Sequence, residues 1–164
     1  MGNGASRRTT ASGGASSSVS GMHQTIVAAT EGLDYDWSND HMTIKTPVEA
    51  TDGRLTLAED RLKPGFLLPR HYHRTTMEVF FVLEGTVVFT FDDETAATTP
   101  GTVVNVPPGV WHEVSCADGG RLLTIFTPGG FDHYLAALAA LDERALADAA
   151  QMERLAQQYD HWTS

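Results

Sequence analysis

Residues 65–85 read GFLLPRHYHRTTMEVFFVLEG, and residues 101–116 read GTVVNVPPGVWHEVSC. In the first stretch His71, His73 and Glu78, all able to bind a metal, fall within eight residues. Residues two apart on a strand point to the same face, so the imidazoles of His71 and His73 converge while Tyr72 turns away. Glu78 heads the next strand after a loop from Arg74 to Met77. Alternation there puts Glu78, Phe80 and Val82 on one face and Val79, Phe81 and Leu83 on the other. A carboxylate at the head of an apolar inner row is costly unless a cation or a proton neutralises it, and two neighbouring imidazoles favour a divalent metal. In the second stretch His112 follows a Pro-Gly turn and shares a face with Val114 and Cys116. His71, His73, Glu78 and His112 are therefore expected to hold one mononuclear metal ion.

Outward from these stretches, the chain from Thr43 onward consists of short runs rich in Val, Ile, Phe and Thr. They are separated by turn pairs such as Asp52-Gly53, Pro64-Gly65, Glu84-Gly85, Pro100-Gly101 and Pro108-Gly109. This punctuation predicts an all-β barrel over residues 43–128, with strands near 43–48, 54–62, 78–83, 86–92, 102–106, 111–117 and 121–127. Two helices are expected after it. Phe131 to Leu141 and Glu143 to Tyr159 are rich in Ala, Leu and Glu, and Leu146, Ala150 and Met152 with Leu155 and Tyr159 recur at helical spacing. Residues 1–21 are Gly, Ser and Thr rich and read as a flexible arm, with 22–42 as a lead-in segment and 129–164 as the helical part. Gly2 with Ser6 fits a myristoylation pattern short enough to arise by chance.

The chain has 164 residues, the size of one domain, and a formal net charge of −10. That charge repels phosphate backbones and anionic membranes, so neither nucleic acid nor a membrane is an expected partner. Cys116 is the only cysteine, which excludes an intrachain disulfide and a thiolate zinc cluster. With no apolar stretch long enough to span a bilayer, the expected location is the cytoplasm.

The two quoted stretches resemble both motifs of the cupin family, in order and at the family's spacing. The first runs Gly65, His71, His73, Glu78, Gly85, and the second Gly101, Pro107, Gly109, His112. Cys116 stands where the family usually has Asn, a departure that touches pocket shape and not the metal. The resemblance implies a double-stranded β-helix, the cupin jelly-roll barrel, enclosing a ligand cavity. The paired motifs followed by TPGGFDHYLAAL at 127–138 further resemble the quercetin 2,4-dioxygenase-like bacterial cupins. This closer likeness implies a dioxygenase acting on a flavonol-like, enolic or phenolic small molecule.

The metal set suits Fe, Ni, Co, Mn or Zn, and Glu78 can serve as ligand and catalytic base. The alternatives are a metal-dependent isomerase, lyase or cyclase, or a binding protein without chemistry. Phe80, Phe89, Phe91, Val114, Cys116, Phe126 and Phe131 are candidates for the substrate pocket. His23, His41, His133 and His161 lie outside both motifs and are expected on the surface or in loops. Val79, Phe81 and Leu83 leave an apolar outer face, for which a homodimer is the expected cover.

Overall fold

The computed structural model describes residues 24–163, so the expected arm, its myristoylation pattern and His23 lie outside the described residues. Among the described residues eleven strands, all paired antiparallel, form two sheets. Six build the first sheet in the order β1 (Leu33–Asp36), β2 (Asp40–Thr46), β3 (Thr56–Leu62), β10 (Gly120–Thr127), β5 (Met77–Glu84) and β8 (Val103–Val106). The second sheet runs β11 (Trp162–Thr163), β4 (Phe66–Tyr72), β9 (His112–Cys116), β6 (Val87–Thr90) and β7 (Thr95–Thr98). Phe66, Phe80, Val82, Phe89, Val114 and Leu122 point between the sheets and form the main core. Each such side chain contributes about 1.5–3 kcal/mol on burial.

The expected alternation holds in β5: Glu78, Phe80 and Val82 are buried, while Phe81 is exposed and Val79 and Leu83 half-buried. It holds again in β9, where His112, Val114 and Cys116 face inward. Strand β4 departs from simple alternation. Phe66 is buried, yet His71 is buried too, although an odd number of residues separates that pair from a common phase. The register against β9 slips between Leu68↔Val114 and His71↔His112, inserting one extra residue on β4. Pro69 falls in the slip, where a residue without an N–H leaves the ladder least disturbed. The bulge reverses the phase and turns His71 and His73 to the inside.

Three short helices, not two, follow the barrel: α1 (Phe131–Ala139), α2 (Glu143–Leu146) and α3 (Ala149–Gln158). The expected helix over 143–159 is split because Asp148 adopts an extended conformation and its carboxylate accepts from the Gln151 N–H, capping a new helix. Asp142 caps α2 in the same way through the Ala145 N–H. Helix α1 lays Leu135 and Leu138 on Met42, Ile44, Ala58 and Phe126. Its Asp132 clips it to the barrel by accepting from the Thr56 hydroxyl at 2.7 Å and the Val48 N–H at 3.1 Å. After α3 the chain returns to the barrel as β11, a strand with no counterpart in the sequence reading. Among the described residues no helix is long and apolar enough to cross a membrane.

Candidate metal centre

Strands β4, β5 and β9 bring His71, His73, Glu78 and His112 together, all buried, with one ligand atom of each within 4.8 Å of the others. Glu78 Oε2 lies 2.8 Å from His112 Nε2, 3.2 Å from His73 Nε2 and 3.9 Å from His71 Nε2. Every ring is oriented from behind by a main-chain carbonyl. His71 Nδ1 donates to Pro69 at 2.8 Å, His112 Nδ1 to Val110 at 3.0 Å and His73 Nδ1 to Asp160 at 2.6 Å. A carbonyl can only accept, so each Nδ1 carries the hydrogen and a neutral ring presents a bare Nε2 lone pair. Three lone pairs then face one carboxylate oxygen, an arrangement that a cation at their centre turns from repulsive to attractive. This donor set fits a divalent transition metal, with the carbonyls as outer partners that fix ring orientation.

Without a cation, a proton on the His73 ring takes its place beside Glu78. Burial alone would raise the Glu78 carboxyl, but contacts from His112 and His73 outweigh it and hold Glu78 well below the ordinary carboxylate range. Burial also pushes His71 down to about 4, keeping it neutral. For His73 the burial effect is overcome by Glu78 and the Asp160 carbonyl, and its pKa is raised.

Two parts of this site were invisible in sequence. His161, expected on the surface or in a loop, is instead only 8% exposed, and its ring stacks on His71 at 4.3 Å between centroids and 18° between planes. Burial, with His71 beside it, pushes His161 down to about 3. It does not join the ligand cluster. Asp160 was not singled out either. Its carboxylate accepts from the N–H groups of Arg74, Thr75 and Thr76 and from both threonine hydroxyls, gripping the loop that joins His73 to Glu78. Burial opposes its ionisation, but these bonds prevail and hold it well below the usual carboxylate range. No local motif announces either residue, because their partners lie more than eighty positions away. Of the remaining histidines, His41 is half-exposed beside Asp34, and His133 is exposed and pairs with Glu49 at 2.6 Å.

Two cavities adjoin the ligands. An interior one of about 30 Å³ is lined by Glu78, Phe80, Val114, Phe126, Phe131 and Asp60, among others. An outer groove of about 240 Å³ reaches His73 and is lined also by Phe126, Phe131, Tyr159 and Asp160. Phe126 and Phe131, stacked at 4.0 Å, are shared walls of both. Of the expected pocket residues, Phe80, Val114, Phe126 and Phe131 line the interior cavity, whereas Phe89, Phe91 and Cys116 pack in the barrel core. Burial raises the Cys116 thiol, which donates to the Thr86 carbonyl. Asp60 escaped notice in sequence because it sits among charged neighbours in TLAEDRL; the pairing of β3 turns it inward. It is 4% exposed, its Oδ1 has no hydrogen-bond partner among the described residues, and burial together with the charge of Asp40 pushes its pKa up to about 8.

The family model described as cupin domain matches residues 58–128, which span all four candidate ligands. Over those residues the chain is similar to a cupin domain. Solved structures agree on the fold. An RmlC-like cupin from Shewanella frigidimarina shares 22% identity, covering 68% of this chain and 96% of its own at a TM-score of 0.59. A predicted oxalate decarboxylase from Thermotoga maritima shares 20% over 63% of this chain and 99% of its own, also at 0.59. The polyketide cyclase RemF from Streptomyces resistomycificus shares 19% over 64% and 80%, at 0.58. No curated protein sequence matches the chain. The differing activities in these names leave the reaction to be argued from the site.

Proposed function

We propose that this cupin is a metal-dependent enzyme acting on a small enolisable or phenolic molecule, with Glu78 as both ligand and proton acceptor. The observation that carries the reading is the set of three imidazoles, each held by a carbonyl at Nδ1, facing one ionised carboxylate beside two cavities. A divalent Fe, Mn, Co, Ni or Zn ion bound there would supply Lewis acidity, and the redox-active members electron transfer as well. The chain's own residues supply the rest. Glu78 lies beside His73 at the outer groove's inner end, and in this reading it takes the proton of an enol or phenol at its carboxylate oxygen. The stacked Phe126 and Phe131 give a flat ring a surface to lie on and keep water from the carboxylate. The outer groove, at about 240 Å³, suits a compound of one or two rings better than a three-ring flavonol.

Oxidative cleavage with dioxygen is the first reading of the reaction. Proton transfer by Glu78 alone would suffice for an isomerase, lyase or cyclase, and its position on the cavity wall favours that second reading. Elemental mass spectrometry of the purified chain should find about one transition metal ion per chain, lost in His73→Ala. Oxygen uptake with a panel of enolic and phenolic compounds then separates the two chemistries. Turnover under strict anaerobiosis would sink the dioxygenase, and a loaded protein that binds the panel without product would leave a binding protein.

The exposed Phe81 and Val103, paired across β5 and β8, support assembly as a homodimer. A monomer in sedimentation at micromolar concentration would overturn that assembly.

A further inference from the structure

The metal ligands differ in what holds them. His71 and His112 take their Nδ1 partners from two residues earlier on their own chain segments. Both rings are therefore oriented by the barrel itself. His73 lies just past the end of β4, and its ring is oriented by the carbonyl of Asp160, a residue outside the matched cupin domain. Asp160 adopts a left-handed φ of 61°, uncommon for a residue with a side chain. That conformation lets one residue serve the same loop twice: the main-chain carbonyl meets His73 while the carboxylate accepts five hydrogen bonds from Arg74, Thr75 and Thr76. The next residues continue the contact. His161 stacks on His71, and Trp162 and Thr163 pair with Tyr72 and His71.

We propose that Asp160 is a positioning residue of the metal centre, and that residues 160–163 form a clasp whose docking and metal occupancy stabilise each other. The inference rests on the metal-centre reading above. A ligand ring free to rotate must be ordered when metal binds, and the clasp has already done that ordering for His73. Metal binding must in turn favour the docked clasp by the same factor, because coupling between two equilibria is reciprocal.

The test is a titration of cobalt(II) into the metal-free full-length chain, in competition with a chelating dye, for the wild type, Asp160→Gly and Asp160→Asn. Glycine keeps the left-handed backbone and the carbonyl but removes the carboxylate, and asparagine restores one acceptor oxygen. Asp160→Gly should bind cobalt about tenfold or more weakly, with Asp160→Asn between it and the wild type. The cobalt visible spectrum of the glycine variant should also change, because without the carboxylate's five bonds to Arg74, Thr75 and Thr76 the retained carbonyl is no longer held against the His73 ring. Beside this, hydrogen exchange on the wild type should show the Trp162 and Thr163 amides slowed on cobalt loading. A merely structural Asp160 would lower the denaturation midpoint of the glycine variant while leaving its cobalt affinity and spectrum unchanged, and that result overturns the proposal. Equal exchange at Trp162 and Thr163 with and without cobalt overturns it as well, a measurement that decides alone if the variants do not fold. A wild type that takes up no metal removes the metal centre and the clasp together, whereas a loaded wild type matched by Asp160→Gly removes the clasp only.

Discussion

Glu78 and Asp60 are two carboxyl groups facing one cavity in one barrel, 3% and 4% exposed, and they are driven in opposite directions. Glu78 is met by three imidazoles and stays ionised; Asp60 Oδ1 meets no donor among the described residues, and burial with the negative charge of Asp40 raises the Asp60 pKa to about 8. Burial alone is thus not what decides a carboxyl's charge here. The difference lies in whether neighbouring strands place a cation or a proton donor against it. One end of the cavity carries a donor set that fits a positive ion, and the other presents a neutral acid.

Replacing the charged member should have the largest effect. Glu78→Ala removes the carboxylate from the ligand set and should lower metal affinity by 100-fold or more, on the scale of disrupting a site beyond its outer shell. A metal titration checks this, and affinity within a few-fold of wild type would mean that the imidazoles alone hold the ion.

The neutral member should show itself through pH. Its folded-state pKa of about 8 lies above the unfolded value of 3.8, so between those values the folded state binds the extra proton. Stability from Asp60 is therefore fully present below about pH 4 and is lost as pH rises through about 8. Chemical denaturation of the metal-free protein should find Asp60→Asn indistinguishable from wild type near pH 4 but more stable near pH 8, by on the order of a few kcal/mol. A constant difference across that range would show that Asp60 is ionised throughout.

The smallest effect tests the origin of the asymmetry. Asp40→Asn removes the second cause of the Asp60 shift and should move its titration down by less than burial moves it up. The midpoint of the pH-dependent stability change reads this directly, and an unmoved midpoint would leave burial as the whole cause.

Much of the ligand set was legible in sequence because its logic is local. His71 and His73 share a face by strand alternation, Glu78 heads an apolar row, and His112 starts a strand after a turn. The inward direction of the His71–His73 pair was less secure, since counting from Phe66 without the slip at Pro69 points His71 outward. Asp60 was hidden among Glu59 and Arg61, three polar residues in a row of which only strand pairing tells which one faces in. Asp160 and His161 were hidden by distance along the chain, and the break at Asp148 by a helical periodicity that runs through a residue better suited to capping. Strand β4 itself was used in the argument about the ligands but not delimited, because Pro69 interrupts its texture.

The extra residue in β4 works like a shift in reading frame. Upstream of it even-numbered side chains point inward, downstream of it odd-numbered ones do, and both histidines lie downstream. A barrel of the same topology with Arg70 deleted would keep its strands and hydrophobic rows yet present His71 and His73 to solvent, and Tyr72 to the interior. Presence or absence of the four-residue cluster in this architecture thus turns on one inserted position that is not itself a member of it, so the length of this strand carries as much chemical information as its histidines.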